Sequence, residues 1–232
     1  MMAIYKSNKK VVAVYKGSTP INKIYKGGTL VFQKSGGGST HLFEGTATKN
    51  FNLKVNGQKI SITPDADGKW FYDTDEKITD LTSLFSPAGA VTSVDLSNLD
   101  LTDITANSML SWCTNITSIK FNNTKSMKPR ELNFMFNNCR SLTSLDLSSF
   151  DTSNITSADS LFSNCSSLVS LDLSNFDMSK STDCNGMFEN CTSLSTIKCK
   201  QAFKDWCITN QDTISLPTAM REGGSGTWEI IV

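Results

Sequence analysis

The sequence predicts an α/β fold: a solenoid with a parallel β-sheet on one face and short helical returns, preceded by small β-hairpin segments. Two observations predict it. A 26-residue unit recurs along the middle of the chain, and each unit joins an alternating apolar segment to a segment with helical spacing. The chain of 232 residues is 38% hydrophobic, which is enough apolar material for one sizeable core and a small accessory domain.

The cysteines mark the repeating unit. Cys113, Cys139, Cys165 and Cys191 follow one another at this constant 26-residue spacing, and a slightly shorter step connects earlier segments to the same series. About five turns therefore occupy residues 81–200. Because the apolar side chains of one turn cannot offset its own ordering entropy, neighbouring turns must stack on one another.

Each unit contains a strand followed by a predicted helix. The segment "LTSLDLSSF" (142–150) has the L-x-x-L-x-L spacing of a leucine-rich-repeat strand, with its leucines inward and Ser144, Asp146 and Ser148 outward. The segment "TSADSLFSNC" (156–165) predicts a short helix, because its apolar residues recur on one face. An asparagine precedes three of the repeated cysteines, at Asn138, Asn164 and Asn190. It suits a left-handed exit from that helix and can satisfy backbone groups there.

The outward positions of consecutive strands form rows of polar side chains. They are either a solvated face, with charges alternated to limit repulsion, or a shallow surface that hydrogen-bonds a sugar or protein ligand. The candidate ligand-binding residues are Asp95, Lys120, Ser144, Asp146, Ser148, Ser170, Asp172, Ser174 and Lys198. Asp100, Asp151 and Asp177 form a further row, which is expected to cap turns more than to bind a cation.

The seven cysteines and the single histidine, His41, do not form a metal-binding or catalytic pattern. The four repeated cysteines are interpreted as buried thiols, and Cys199 takes a core strand position. The sequence does not decide whether Cys184 and Cys207 are buried. No nucleophile, phosphate-binding or zinc-protease motif occurs, so the sequence predicts no enzyme, cofactor or metal site.

Residues 1–34 carry a shorter repeat, in which Tyr5, Tyr15 and Tyr25 are evenly spaced and each precedes a lysine. This spacing predicts a small meander of β-hairpins. The segment is short for an independent core, so it is interpreted as an attachment module that packs on a partner or on copies of itself. A small ordered sheet without partners is the alternative. Residues 35–40 form a Gly/Ser linker.

The two ends of the solenoid are predicted to be capped. Residues 41–80 contain Asn-Gly and Asp-Gly turn signals, which predict two β-hairpins as an N-terminal cap. Residues 201–232 form the C-terminal cap, with a helix at "AFKDWCI" and a final strand at "GTWEIIV". Trp206 and Trp228 are expected to belong to this cap and not to a ligand platform.

Charge and hydropathy exclude several partners. Lys plus Arg equal Asp plus Glu at 22 each, so no net field attracts nucleic acid or anionic lipid. No apolar run reaches the roughly 20 residues that span a bilayer. The N-terminus also lacks the apolar core and cleavage site of a signal peptide, so export is not expected from the sequence as written.

The phrase "LFSNCSSLVSLDLSNFDMSKSTDCNGMFENCTSL" resembles the BspA-type leucine-rich repeats, which occur in bacterial surface proteins used for adhesion. The resemblance covers about half of the chain and is specific at 135–198, whereas 84–134 depart from it at "KSMKPRELN". The ends "VYKGSTPINKIYKGGTLVF" and "GTWEIIV" are similar to those of virion and tail-fibre proteins from phages and prophages of gut Bacteroides-like bacteria.

These resemblances imply a non-enzymatic binding or adhesion protein. The first expectation is a virion-associated component, assembled in the host cytoplasm, which presents its repeat face to a cell-surface protein or glycan. Its N-terminal segment would contact other proteins of the assembly or form a homo-oligomer. The alternatives are an adhesin on the bacterial cell surface and a purely structural virion decoration.

Overall fold

The computed structural model describes residues 41–74, 77–86, 88–122, 126–129 and 131–231, together with the backbone of six short strands between residues 6 and 33. The fold is mixed and rich in β-sheet, with few helical residues in the described part. In chain order the elements are β1 (Lys6–Ser7), β2 (Lys10–Val11), β3 (Tyr15–Lys16), β4 (Thr19–Pro20), β5 (Lys23–Lys26), β6 (Thr29–Gln33), β7 (Phe43–Ala47), β8 (Phe51–Val55), β9 (Gln58–Ile62), β10 (Lys69–Tyr72), β11 (Phe85–Ser86), β12 (Val91–Asp95), β13 (Ser118–Lys120), β14 (Ser144–Asp146), β15 (Ser170–Asp172), β16 (Thr196–Lys200), α1 (Gln201–Thr209) and β17 (Thr227–Ile231). Short 3-10 turns lie at Ala88–Ala90 and Thr218–Met220.

The N-terminal strands pair as three separate antiparallel hairpins, β1 with β2, β3 with β4 and β5 with β6. The predicted hairpins are therefore present, but within the described backbone they do not join into one meander. Tyr15 pairs with Pro20 and Tyr25 pairs with Leu30, whereas Tyr5 lies outside the described residues. The predicted linker, 35–40, also lies outside them.

One of the two hairpins expected in residues 41–80 forms as predicted. β8 and β9 pair across Asn56-Gly57, where both residues have positive φ, as a tight hairpin turn requires. The prediction of the second hairpin was wrong: β10 pairs with β7 and not with its neighbour β9. β7 also pairs with β12, the strand of the first repeat, so β7 covers the edge of that strand.

The repeat strands pair in parallel within two separate sheets, and not in one parallel sheet of five strands as the sequence predicts. The first of these sheets is mixed, because β7 and β10 join it antiparallel. β12 pairs with β13, and β14, β15 and β16 pair in that order, with equivalent positions of neighbouring repeats in register. β17, the strand of the C-terminal cap, extends the second sheet parallel to β16. The break falls between β13 and β14. After β13, Met127 forms a parallel bridge with Phe150, and these two residues are closer in sequence than one repeat period. Met127 is therefore out of register with the next repeat.

The second half of each repeat, here called the return, is a series of tight turns and not a helix. The returns are 105–113, 131–139, 157–165 and 183–191. Alternate backbone N–H groups donate to the next repeat, as from Phe162 to the carbonyl of Met187 at 2.9 Å, while Cys165 N donates three residues back to Phe162 O at 3.1 Å. Because these N–H groups bond to a neighbouring repeat, they cannot form the i→i−4 bonds of an α-helix.

The core is a ladder of identical positions. Phe136, Phe162 and Phe188 are fully buried, and their rings stack at centroid distances of 5.7 and 5.6 Å with interplanar angles of 7° and 14°. The helix α1 follows β16, as predicted, and buries Phe203 and Cys207. The core is therefore continuous from the first repeat to the C-terminal helix.

Replacement of the central ring of this ladder tests how much the stacking contributes. We expect Phe162→Ala to lower the free energy of unfolding by about 3–5 kcal/mol, because the substitution leaves a cavity and removes the ring that stacks on Phe136 and on Phe188. Val169→Ala, whose side chain is 46% exposed, is the control and should change the value by less than about 0.5 kcal/mol. Equilibrium urea denaturation measures both, and a loss for Phe162→Ala no larger than that of the control contradicts the stacked core.

Candidate binding surface

The predicted ligand-binding residues lie on the repeat strands of both sheets or just after them. Asp95 and Lys120 are in register on β12 and β13, and Asp146, Asp172 and Lys198 are in register on β14, β15 and β16. The structure therefore brings the outward residues of neighbouring repeats together in two groups. β13 and β14 are not paired with each other in the described structure, so the two groups do not form one uninterrupted row.

Two ion pairs connect neighbouring strands on this surface. Lys120 Nζ lies 3.0 Å from Asp95 Oδ2, and Lys198 Nζ lies 2.8 Å from Asp172 Oδ2. Partial burial acts to raise the pKa of Asp172, but hydrogen bonds from Lys198 and Ser174 outweigh it and hold that pKa below its usual value. Such exposed ion pairs add little to the free energy of unfolding. Their effect is to hold the charged groups at defined positions on the surface.

The aspartates of this surface also accept hydrogen bonds from their own chain two residues on. The backbone N–H of the serine donates to the aspartate Oδ1 in three pairs: Ser97 to Asp95 (2.9 Å), Ser148 to Asp146 (2.9 Å) and Ser174 to Asp172 (3.1 Å). The same contact occurs at Asp100, Asp151 and Asp177, which confirms that this further row caps turns.

Hydroxyl groups form the row beside the aspartates. Ser144 is exposed, Ser170 and Thr196 are half-buried, and all three occupy the same position of neighbouring strands. Ser174 differs from its predicted outward placement, because it is buried and its hydroxyl donates to the Asp172 carboxylate. The hydroxyls of Ser144 and Ser170 make no side-chain hydrogen bond within the described part of the chain, so they can bond to a ligand or to water.

A second exposed surface lies in the returns, and the sequence reasoning missed it. Trp112 is 58% exposed and Phe134 is 39% exposed, and the guanidinium of Arg140 lies 6.0 Å from the centre of the Trp112 ring. The signal was present in the repeat itself, since the other returns carry Asn, Ser or Gly at the positions of these two aromatic residues.

A cleft of about 530 Å³ lies between α1 and the segment that leads into β17. Its polar groups are largely engaged within the protein. Arg221 donates to the carbonyl of Leu216 and to Asp212, and Trp228 Nε1 donates to the carbonyl of Met220 at 3.2 Å. Trp228 packs against the core, as the predicted C-terminal cap requires.

The single histidine of the chain makes structural contacts. His41 Nδ1 lies 2.6 Å from Asp73 Oδ2, and the imidazole stacks on Phe71 at 3.8 Å, so His41 ties the start of β7 to the end of β10. Across the described residues, no three His, Cys, Asp or Glu side chains are grouped so that they could hold a metal ion. In the same residues, no helix has the length and apolar character needed to cross a bilayer.

All seven cysteines are buried, and none forms a disulfide. The prediction of a buried thiol at the repeated position and at Cys199 is confirmed, and Cys184 and Cys207 are buried as well. Along the ladder each thiol from Cys139 onward donates to a carbonyl of the preceding repeat, as from Cys165 Sγ to Phe136 O at 3.1 Å. The thiols therefore add weak hydrogen bonds between repeats and are shielded from reagents.

Burial also makes the stability depend on pH. It raises the pKa of the Cys199 thiol to about 11 and raises the pKa values of Cys113, Cys191 and Cys207 as well. An unfolded thiol loses its proton near pH 8.5, whereas the folded thiol keeps it. The contribution of each thiol is thus fully present below about pH 8.5 and is lost as pH rises from there towards the folded pKa.

We therefore expect the free energy of unfolding to fall above about pH 8.5, by up to about 1.4 kcal/mol per pH unit for each buried thiol. Urea denaturation at a series of pH values measures this dependence. Cys113→Ala should remove one thiol's share of the slope, whatever its effect at neutral pH. A free energy that stays constant up to about pH 10 contradicts the burial of the thiols.

Comparison with known proteins identifies the repeat region. A family model described as "Mycoplasma protein of unknown function, DUF285" matches residues 79–206, which include the repeat strands β12 to β16. This is the domain found in BspA-like surface proteins, in agreement with the resemblance of the repeats. No curated protein and no solved structure matches the chain. Because the model covers more than half of the 232 residues, the chain belongs to the DUF285 family.

Proposed function

We propose that the chain is a non-enzymatic binding protein, in which the stacked repeats form a leucine-rich-repeat solenoid that presents its polar sheet face to a cell-surface protein or glycan. The observation that carries this proposal is the in-register pairing of β14, β15 and β16. It places Ser144 beside Ser170 and Asp146 beside Asp172, so like groups recur about 4.8 Å apart across the sheet.

A surface of this kind suits an extended, shallow ligand. The ion pair of Asp172 with Lys198 and the turn-capping contacts of Asp146 and Asp172 hold the carboxylates in place, so little side-chain entropy is lost when a ligand binds. The hydroxyl row beside them can both donate and accept hydrogen bonds. Sugars and peptide backbones present the complementary groups.

The biological setting is proposed from the resemblances of the repeats and of the two ends. We favour a virion or tail-fibre component of a phage or prophage, with residues 1–34 attaching it to the rest of the assembly. The alternative is an adhesin on the bacterial surface. A structural decoration that binds nothing is the third option.

Bulky residues placed in the hydroxyl row test the proposed face. We expect Ser144→Arg with Ser170→Arg to reduce binding of the labelled full chain to intact Bacteroides-type gut bacteria by at least about tenfold, because the side chains block the row without removing an internal hydrogen bond. Flow cytometry over a panel of strains measures the binding.

The matched control is Ser166→Arg with Thr192→Arg, which adds the same charge at two exposed positions that are equivalent in neighbouring repeats but lie outside the strands. It should bind like the unmodified chain. Equal binding of the sheet-face variant and the unmodified chain would count against the sheet face as the binding site. Absence of binding to every strain would favour the structural decoration.

A further inference from the structure

Two large aromatic side chains occupy backbone positions that normally exclude them. Every return has two residues with positive φ, four positions apart. At the first position the returns carry Ser108, Phe134, Ser160 and Gly186, and at the second they carry Trp112, Asn138, Asn164 and Asn190. Phe134 has a φ of 57° and Trp112 a φ of 62°, so both adopt the left-handed conformation.

This conformation is unfavourable for bulky residues. Glycine adopts it without steric cost, and asparagine adopts it more readily than other residues, whereas a large side chain at positive φ is an outlier that needs a cause. The fold of the return does not require an aromatic residue at these positions, because the neighbouring repeats form the same return with Ser, Asn and Gly. Burial does not supply it either, since Trp112 is 58% and Phe134 is 39% exposed.

Arg140 holds the indole in a defined arrangement. Its Nη2 and Nε donate to Asn138 Oδ1 at 2.8 and 3.2 Å, and Asn138 is 4% exposed and donates in turn to Asn137 at 2.6 Å. The guanidinium is therefore anchored over the Trp112 ring at 6.0 Å, where a cation and an aromatic face attract each other. This arrangement exists before any partner binds, which lowers the entropy cost of association.

The chemistry of the surface indicates the partner. A guanidinium has five N–H donors, and two of them are used within the described residues, so the remaining donors can bind a carboxylate. Trp and Arg are among the residues that dominate binding energy at protein interfaces, where an exposed aromatic side chain enters a pocket of the partner. We propose that Trp112, Phe134 and Arg140 form a docking surface for a protein partner that presents apolar side chains beside an acidic side chain. This inference goes beyond the proposed function, because the surface lies in the returns and not on the sheet face.

The test replaces both aromatic residues by those that other repeats carry at the same positions, Trp112→Asn and Phe134→Gly. Random peptides displayed as a library are selected for binding to the unmodified chain. We expect the selected peptides to combine aromatic or aliphatic residues with Asp or Glu, and to lose affinity by about 30-fold or more for the double variant. The melting temperature of the double variant should rise by about 2–4 °C, because the unfavourable φ at both positions is relieved.

The sheet-face variant Ser144→Arg with Ser170→Arg is the matched control and should bind the selected peptides like the unmodified chain, so failure of the proposed sheet-face function leaves this test intact. A lower melting temperature of the double variant would overturn the inference, because the aromatic residues would then serve the fold. A selection that yields no peptide able to distinguish the two proteins would overturn it as well. Light scattering that shows a dimer of the unmodified chain, but a monomer of the double variant, would overturn the choice of partner by assigning the surface to a second copy of the chain.

Discussion

Backbone hydrogen bonds between neighbouring repeats are the interaction on which the rest of the structure depends. One repeat has too few apolar groups to fold alone, so it must stack on its neighbours. Its backbone N–H and C=O groups are then buried, and without hydrogen bonds between repeats they would remain unpaired. The bonds from the strands and from the returns satisfy both sides of each repeat, as between Leu147 N and the carbonyl of Asp172 at 2.8 Å and between Asn164 N and the carbonyl of Glu189 at 2.7 Å. Phe and Cys side chains then meet their counterparts in the next repeat because the backbone is already in register.

This constraint also decides which residues each position accepts. Alternate N–H groups of a return point to the next repeat, and each return contains two residues with positive φ. Asn164, Asn190 and Gly186 fit that requirement. Trp112 and Phe134 do not, and proteins tend to break a local rule of this kind at functional sites. The same regular backbone thus supports two surfaces: a polar one on the strands, which the repeat pattern makes uniform, and an aromatic one in the returns, which interrupts it.

Much of this arrangement could be predicted from the sequence, because the constant spacing of the repeats fixes which residues are equivalent. The burial of Cys165, the turn capping by Asp151 and the left-handed conformation of Asn164 all follow from the residue type and its place in the period. The returns were predicted as helices because apolar residues at 161, 162 and 165 suit a helical face, and spacing alone does not reveal whether an N–H group bonds to its own turn or to the next repeat. The separation of β13 from β14 and the register shift at Met127 could not be predicted from the cysteine spacing, because that spacing stays constant across both.

The pairing of the returns can be measured directly by NMR, through the scalar coupling that passes across a hydrogen bond from an amide nitrogen to the carbonyl carbon of its acceptor. We expect a coupling between the nitrogen of Phe162 and the carbonyl carbon of Met187, and the equivalent coupling between Phe136 and Leu161. A coupling from Phe162 to the carbonyl carbon of Ala158 would instead indicate a helical return. That result would contradict the claim that neighbouring repeats are hydrogen-bonded to each other through their returns.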